Sequence, residues 1–154
     1  MLKPYICVAC EKVILAADGA ASLISLFSKI VIGVPVATEI PRNAVAPKEW
    51  AVFSIWCPEQ GDELKNFEIC TQFIYPDLTQ FGDIVRHQIN VEQGKRAQVL
   101  VQVPGFPIGQ VGPYTVRTWI EEGGKKVSEP IEFKIELEIA TADQTKPSET
   151  AVKA

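Results

Sequence analysis

Near the start of the chain, "YICVACEKVIL" sets Cys7 and Cys10 in a C-x-x-C spacing, the spacing of zinc sites and dithiol redox sites. A zinc centre needs a second cysteine pair or histidines at ligand spacing. Neither follows, and Cys57 and Cys70 stand singly. A thioredoxin-type dithiol opens a helix after a strand, whereas this motif lies inside an apolar, β-rich run. In a strand, residues three apart point to opposite faces with Cα atoms about 10 Å apart. A disulfide needs Cα atoms within about 7 Å. The expectation is therefore a pair of small apolar residues that are not mutual neighbours.

His87 is the single histidine, so any Ser-His-Asp or Cys-His arrangement must use it. It alternates with Val85, Ile89 and Val91, which places it on a partly buried strand face. No G-x-S-x-G elbow occurs. Asp62-Glu63, Asp77, Asp83 and Glu121-Glu122 fall in or beside expected loops, without the D-x-D-x-D-G pattern of a calcium loop. "GFPIGQVG" lacks the Lys-Ser/Thr of a phosphate loop. No catalytic residue, metal ligand or cofactor motif is assigned. The aromatics remain: Trp50 and Trp56 share a parity that suits a core, and Trp119 falls on the polar side of its strand. Trp119, Trp56, Phe106 and Arg117 are the candidate contacts for a ligand or partner.

The elements that would position these residues are strands. In "PIEFKIELEI", residues 130–139, Ile131, Phe133, Ile135, Leu137 and Ile139 share one face and Glu132, Lys134, Glu136 and Glu138 the other. A strand separates the two sets, whereas a helix would scatter them. "GPYTVRTWIEEGG" precedes it, and Gly123-Gly124 supplies the positive φ of a tight turn, so residues 113–139 read as a terminal hairpin. Further strands are expected at 49–57, 67–75, 83–91 and 97–103, with turns at "GDELKN" and "EQGKR". Lys95-Arg96 and Lys125-Lys126 read as solvated hairpin tips. "YICVACEKVILA" and "SLISLFSKIVIG" flank the turn "ADG". Residues 22–33 also fit a helical stripe, but the turn and "KIVIGV" favour a strand. Residues 35–48 form an irregular crossing between sheets, and "PGFPIGQVGP" (104–113) reads as a loop.

The 154-residue length suits one domain over residues 1–140, followed by a flexible polar tail over 141–154. The fold class is an all-β, antiparallel two-sheet β-sandwich, immunoglobulin-like or C2-like, with seven or eight strands. A net charge of −4 argues against nucleic acid. No run approaches the roughly 18 apolar residues of a membrane span. No secretion signal is visible, so the expected location is cytoplasmic, with reduced thiols.

Three segments, "CEKVILAADGAASLISLFSKI", "GPYTVRTWIEEGG" and "PIEFKIEL", follow an order that resembles a family of bacterial single-domain β-sandwich proteins of unknown function. The likeness spans residues 7–137. Ser25 departs from it, because that position is expected to be glycine. The resemblance implies a fold but no activity. The function read here is a non-enzymatic binding or structural module. It would act on a protein partner, or on itself, through edge strands or the loops 35–48, 76–83 and 104–113. The alternatives are a small-molecule or carbohydrate-binding domain with an exposed aromatic face, and an enzyme centred on His87.

Overall fold

The alternation in residues 130–139 becomes the last strand of a two-layer sheet structure. A computed structural model describes residues 2–61, 65–92 and 95–142. Among them are ten strands and no helix: β1 Lys3–Leu15, β2 Ala21–Leu26, β3 Lys29–Pro35, β4 Val45–Cys57, β5 Asn66–Ile74, β6 Gln80–Asn90, β7 Ala97–Pro107, β8 Gly112–Glu122, β9 Lys125–Lys126 and β10 Ile131–Ala142. One sheet has the order β2-β1-β4-β7. The other has the order β3-β10-β8-β5-β6, with β9 on β8. All pairings are antiparallel except β3 with β10. With β4–β7 in one sheet and β10–β8–β5 in the other, the order corresponds to the B–E and G–F–C strands of an immunoglobulin-like sandwich.

The two-sheet sandwich is as expected; the strand count exceeds seven or eight. The segment 22–33 supplies two strands rather than one, and the Gly123-Gly124 turn (φ 59° and 78°) adds the short β9. Residues 36–44 carry the chain from β3 in one sheet to β4 in the other, as the proline-rich connection suggested. Several details differ: β4 begins at Val45, β6 at Gln80 and β8 at Gly112, inside the expected connections 35–48, 76–83 and 104–113. Residues 104–107 are strand, not loop, because β7 is an edge strand and Pro104 and Pro107 need no partner on its open side. Lys95-Arg96 precede a change of sheet rather than closing a hairpin, since β6 and β7 lie in different layers. β10 runs through Ala142, paired with β3, past the expected end at residue 140. Residues 62–64 of the expected turn "GDELKN", residues 93–94 of "EQGKR" and the tail beyond 142 lie outside the described residues.

The main core fills the space between the sheets, with Trp50, Val52 and Trp56 from β4 against Phe67, Ile69 and Phe73 from β5, Ile120 from β8 and Ile135 from β10. A smaller core lies on the outer face of the first sheet. Beyond Cys10 the β1–β2 hairpin parts from β4, and its tip Gly19 accepts a hydrogen bond from Gln98 Nε2 of β7 at 3.0 Å. The arm thus lies across the sheet, and Val13, Ala21 and Leu23 cover Cys10, Ala51 and Phe53.

Within β2, between Ile24 and Leu26, which pair with Lys12 and Cys10, Ser25 has a φ of 55°, the left-handed conformation that favours glycine. This accounts for the glycine expected there. Ser25→Gly is expected to raise stability by about 0.5–1 kcal/mol, the relief of left-handed strain less the added unfolded-state freedom. Urea denaturation at constant m value measures it.

Candidate functional site at the loop end

Three connections that are far apart in sequence meet at one end of the sandwich: 36–44, 75–79 and 108–111. Asp77 joins them. Its Oδ1 accepts from the Thr79 backbone N–H at 3.0 Å and from Thr79 Oγ1 at 2.5 Å. Its Oδ2 accepts from Arg42 Nη2 at 2.9 Å and from Gln110 Nε2 at 3.0 Å. The Asp77 backbone N–H donates in return to Gln110 Oε1 at 3.2 Å. These hydrogen bonds, led by those from Thr79, hold the Asp77 carboxyl below the ordinary aspartate value.

The backbone makes the same connections. Ile108 N–H donates to Ala44 O at 2.9 Å. At Gly109 an added Cβ would stand 1.9 Å from Arg42 O, so only glycine allows the two loops to touch. Tyr114, at the start of β8, donates its hydroxyl to Gln110 O four residues upstream at 2.7 Å. This is the tyrosine corner of immunoglobulin-like sandwiches. Burial pushes the phenol up to about 12, so it stays a donor. Beneath the loops, Trp50, Phe73, Phe81, Tyr75, Tyr114 and Phe106 form a closed ring of aromatic contacts, with centroids 4.9 to 5.8 Å apart. A shallow cleft of about 350 Å³ opens among Arg42, Asn43, Tyr75, Thr79 and Gln110.

At the tip, Tyr75 N–H donates to Thr79 O and Leu78 N–H to Tyr75 O. This is a three-residue hairpin loop whose last residue must be left-handed, normally glycine. Here it is Leu78, with φ 70° and 81% of its surface exposed. Val111 of the next loop is also exposed. A branched apolar residue thus sits in a strained conformation and buries little of its side chain.

The four contact residues named from the sequence lie elsewhere or are covered. Trp56 and Phe106 are each 1% exposed and Trp119 is 8% exposed, so the exposed aromatic face is not formed. Trp119 donates Nε1 to Glu121 Oε1 at 2.9 Å, and Lys126 Nζ lies 5.9 Å from its ring centre. Alternation had placed Trp119 on the outer face, but these neighbours cover it there. Arg117 is held by Glu132 at 2.5 Å on the outer face of the second sheet.

The cysteines are free and apart. Cys7 packs against the main core opposite Ser54 of β4, whereas Cys10 belongs to the outer cluster. Burial pushes both thiols up. Glu68, Cys70 and Glu121 bring three metal-type ligand atoms together, but Arg86 Nη1 already lies among them. It stands 3.0 Å from Glu68, 2.6 Å from Glu121 and 3.3 Å from Cys70 Sγ. Burial, then Glu121, pushes the Cys70 thiol up to about 12, far from a thiolate at neutral pH. His87 faces inward opposite Ile69, and its buried Nδ1 has no hydrogen-bond partner among the described residues. No nucleophile is therefore engaged at that nitrogen.

No protein-family model and no curated protein matches the chain. No helix among the described residues is long and apolar enough to cross a membrane.

Because folding lowers the Asp77 value below the unfolded 3.8, its fastening of the loops is complete above that pH and is lost as pH falls through the folded value. Amide exchange at Asp77 and Thr79, measured against the strands, is expected to accelerate selectively in that acid range. In Asp77→Asn it should already be fast at neutral pH and lose most of this acid response.

Proposed function

We propose that this chain is a non-enzymatic binding module that engages a protein partner through the loop end. The observation that carries this reading is Leu78, an apolar side chain held out in a conformation that costs about 1–2 kcal/mol. Strain of this kind persists only where surrounding contacts enforce it, and it gathers at functional positions. Here the Asp77 network and the aromatic ring enforce it. Leu78 and Val111 supply apolar contact, Arg42 supplies a charge, and Gln110 and Thr79 supply polar atoms at fixed places. A protein partner suits this mixture better than a small ligand, because the cleft is shallow and the exposed apolar side chains, Leu78 and Val111, are not in its lining.

The groove beneath the β1–β2 arm is larger, about 550 Å³. Of its polar side chains, Glu11 is held by Lys48 at 2.9 Å, whereas Lys12, Glu49 and Gln102 have no hydrogen-bond or ion-pair partner among the described residues, so most of the polar lining is not fixed for recognition. An intracellular, bacterial setting is consistent with the reduced cysteines and the family resemblance, and belongs to the same proposal.

A photo-crosslinking residue at position 78 or 111 is expected to give one discrete adduct in the cells that make the protein, while the same residue at Glu138 gives none. Absence of an adduct at both loop positions would sink the reading. Leu78→Gly separates fold from function: stability should rise by about 1 kcal/mol as strain is relieved, while adduct formation from position 111 falls.

A further inference from the structure

The last strand is covered on one side only over its first five residues. β10 pairs with β8 over Ile131–Leu137 and with β3 over Glu136–Ala142. Among the described residues, no strand lies against 131–135 on the β3 side. Glu136 N–H donates to Ser28 O at 2.8 Å, so the even-numbered residues of β10 turn their backbone groups toward that side. Glu132 and Lys134 therefore present two N–H and two C=O groups along an open edge.

Edges of this kind are usually blunted. The matching bare half of β1, in the other sheet, is blunted by Pro4, by a bulge between Pro4 and Ile6, and by the Arg96 guanidinium 4.6 Å from the Tyr5 ring centre. The open half of β10 has no proline or bulge, and its register with β8 is unbroken.

We propose that this edge pairs antiparallel with the same edge of a second copy of the chain, about a two-fold axis at Phe133. Two constraints select that register. Backbone hydrogen bonds require even-numbered residues to face even-numbered residues. A centre at residue 132 would then oppose two glutamates, and a centre at 134 two lysines. With the axis at Phe133, Glu132 faces the partner's Lys134 twice on the outer face, and Ile131 faces the partner's Ile135 twice on the inner face. "IEFKI" is its own complement in charge and in pattern.

The local groups are free to take part. Lys134 is exposed and makes no ion pair among the described residues, and Glu132 holds Arg117 through Oε1, leaving Oε2 open. The paired length also fits the open length, since Pro130 ends the strand on one side and Ser28 closes the slot on the other. An apolar cleft of about 300 Å³ with Val8, Leu26, Phe27 and Phe133 in its wall runs beside the slot, and Leu26 is largely exposed. The four hydrogen bonds would join the larger sheets of two copies into one. This surface shares no residue with the loop end, so the two proposals fail independently.

Sedimentation equilibrium from micromolar to millimolar concentration is the test. The native chain is expected to dimerise, with amide exchange at Glu132 and Lys134 slowing as dimer forms. Lys134→Glu and Glu132→Lys should each weaken the dimer by on the order of tenfold or more, because like charges then face each other. A one-to-one mixture of these two variants should restore it, since every facing pair is again opposite in sign. A native chain that stays monomeric, a Lys134→Glu variant that dimerises as the native chain does, or a mixture no better than its components would each overturn the proposal.

Discussion

The carboxylate of Asp77 determines the shape of the loop end. Four donors from three connections converge on its two oxygens, and its own backbone N–H returns one bond to Gln110. No single one of these exposed bonds is strong. Their effect comes from geometry: they link segments that are neighbours only because the sandwich has folded. The support beneath is also polar and aromatic. Tyr114 anchors the same Gln110 through its backbone carbonyl, and the ring of six aromatic side chains fixes where Tyr75 and Tyr114 stand. Leu78 can then be held in a conformation that glycine would adopt more cheaply.

The residue types that first suggest chemistry have become structural for physical reasons. Cys7 belongs to a small buried polar set between the sheets. Trp56 Nε1 donates to Ser54, Ser54 is paired with Cys7 across the strands, and Thr71 and Thr118 lie 3.5 Å apart on the facing sheet. Cys70 sits under Arg86, which satisfies two carboxylates at once. Buried thiols without a cationic partner strong enough to ionise them are poor nucleophiles and poor metal ligands. What remains available for function lies on the surface, in loops and edges.

Much of the sandwich was legible in the sequence because period-two alternation reports one buried face directly. β10 and β8 show this, whereas residues 22–33, where alternation is weak, read as one strand and form two. Several errors share one cause, which is that local composition does not reveal sheet membership; others concern cover by neighbours or the splitting of one run into two strands. Pro104 and Pro107 look like loop residues until β7 is known to be an edge. "EQGKR" looks like a hairpin turn although its flanking strands lie in different layers. Trp119 lies on the outer face, as its parity implies, yet neighbours from the same sheet cover it. The three loops were legible as connections, but their convergence depends on topology. Leu78 had a signal of its own: Pro76-Asp77 starts a tight turn whose next residue must be left-handed, and leucine is an unusual choice there.

Backbone ¹⁵N relaxation across residues 75–79 and 108–111 tests the central claim, that the loop end is fixed before any partner arrives. If the Asp77 network does what its geometry indicates, order parameters at Leu78, Thr79 and Gln110 will match those of the flanking strands, at about 0.85. Values below about 0.6 at these residues, with rigid strands on either side, would contradict it.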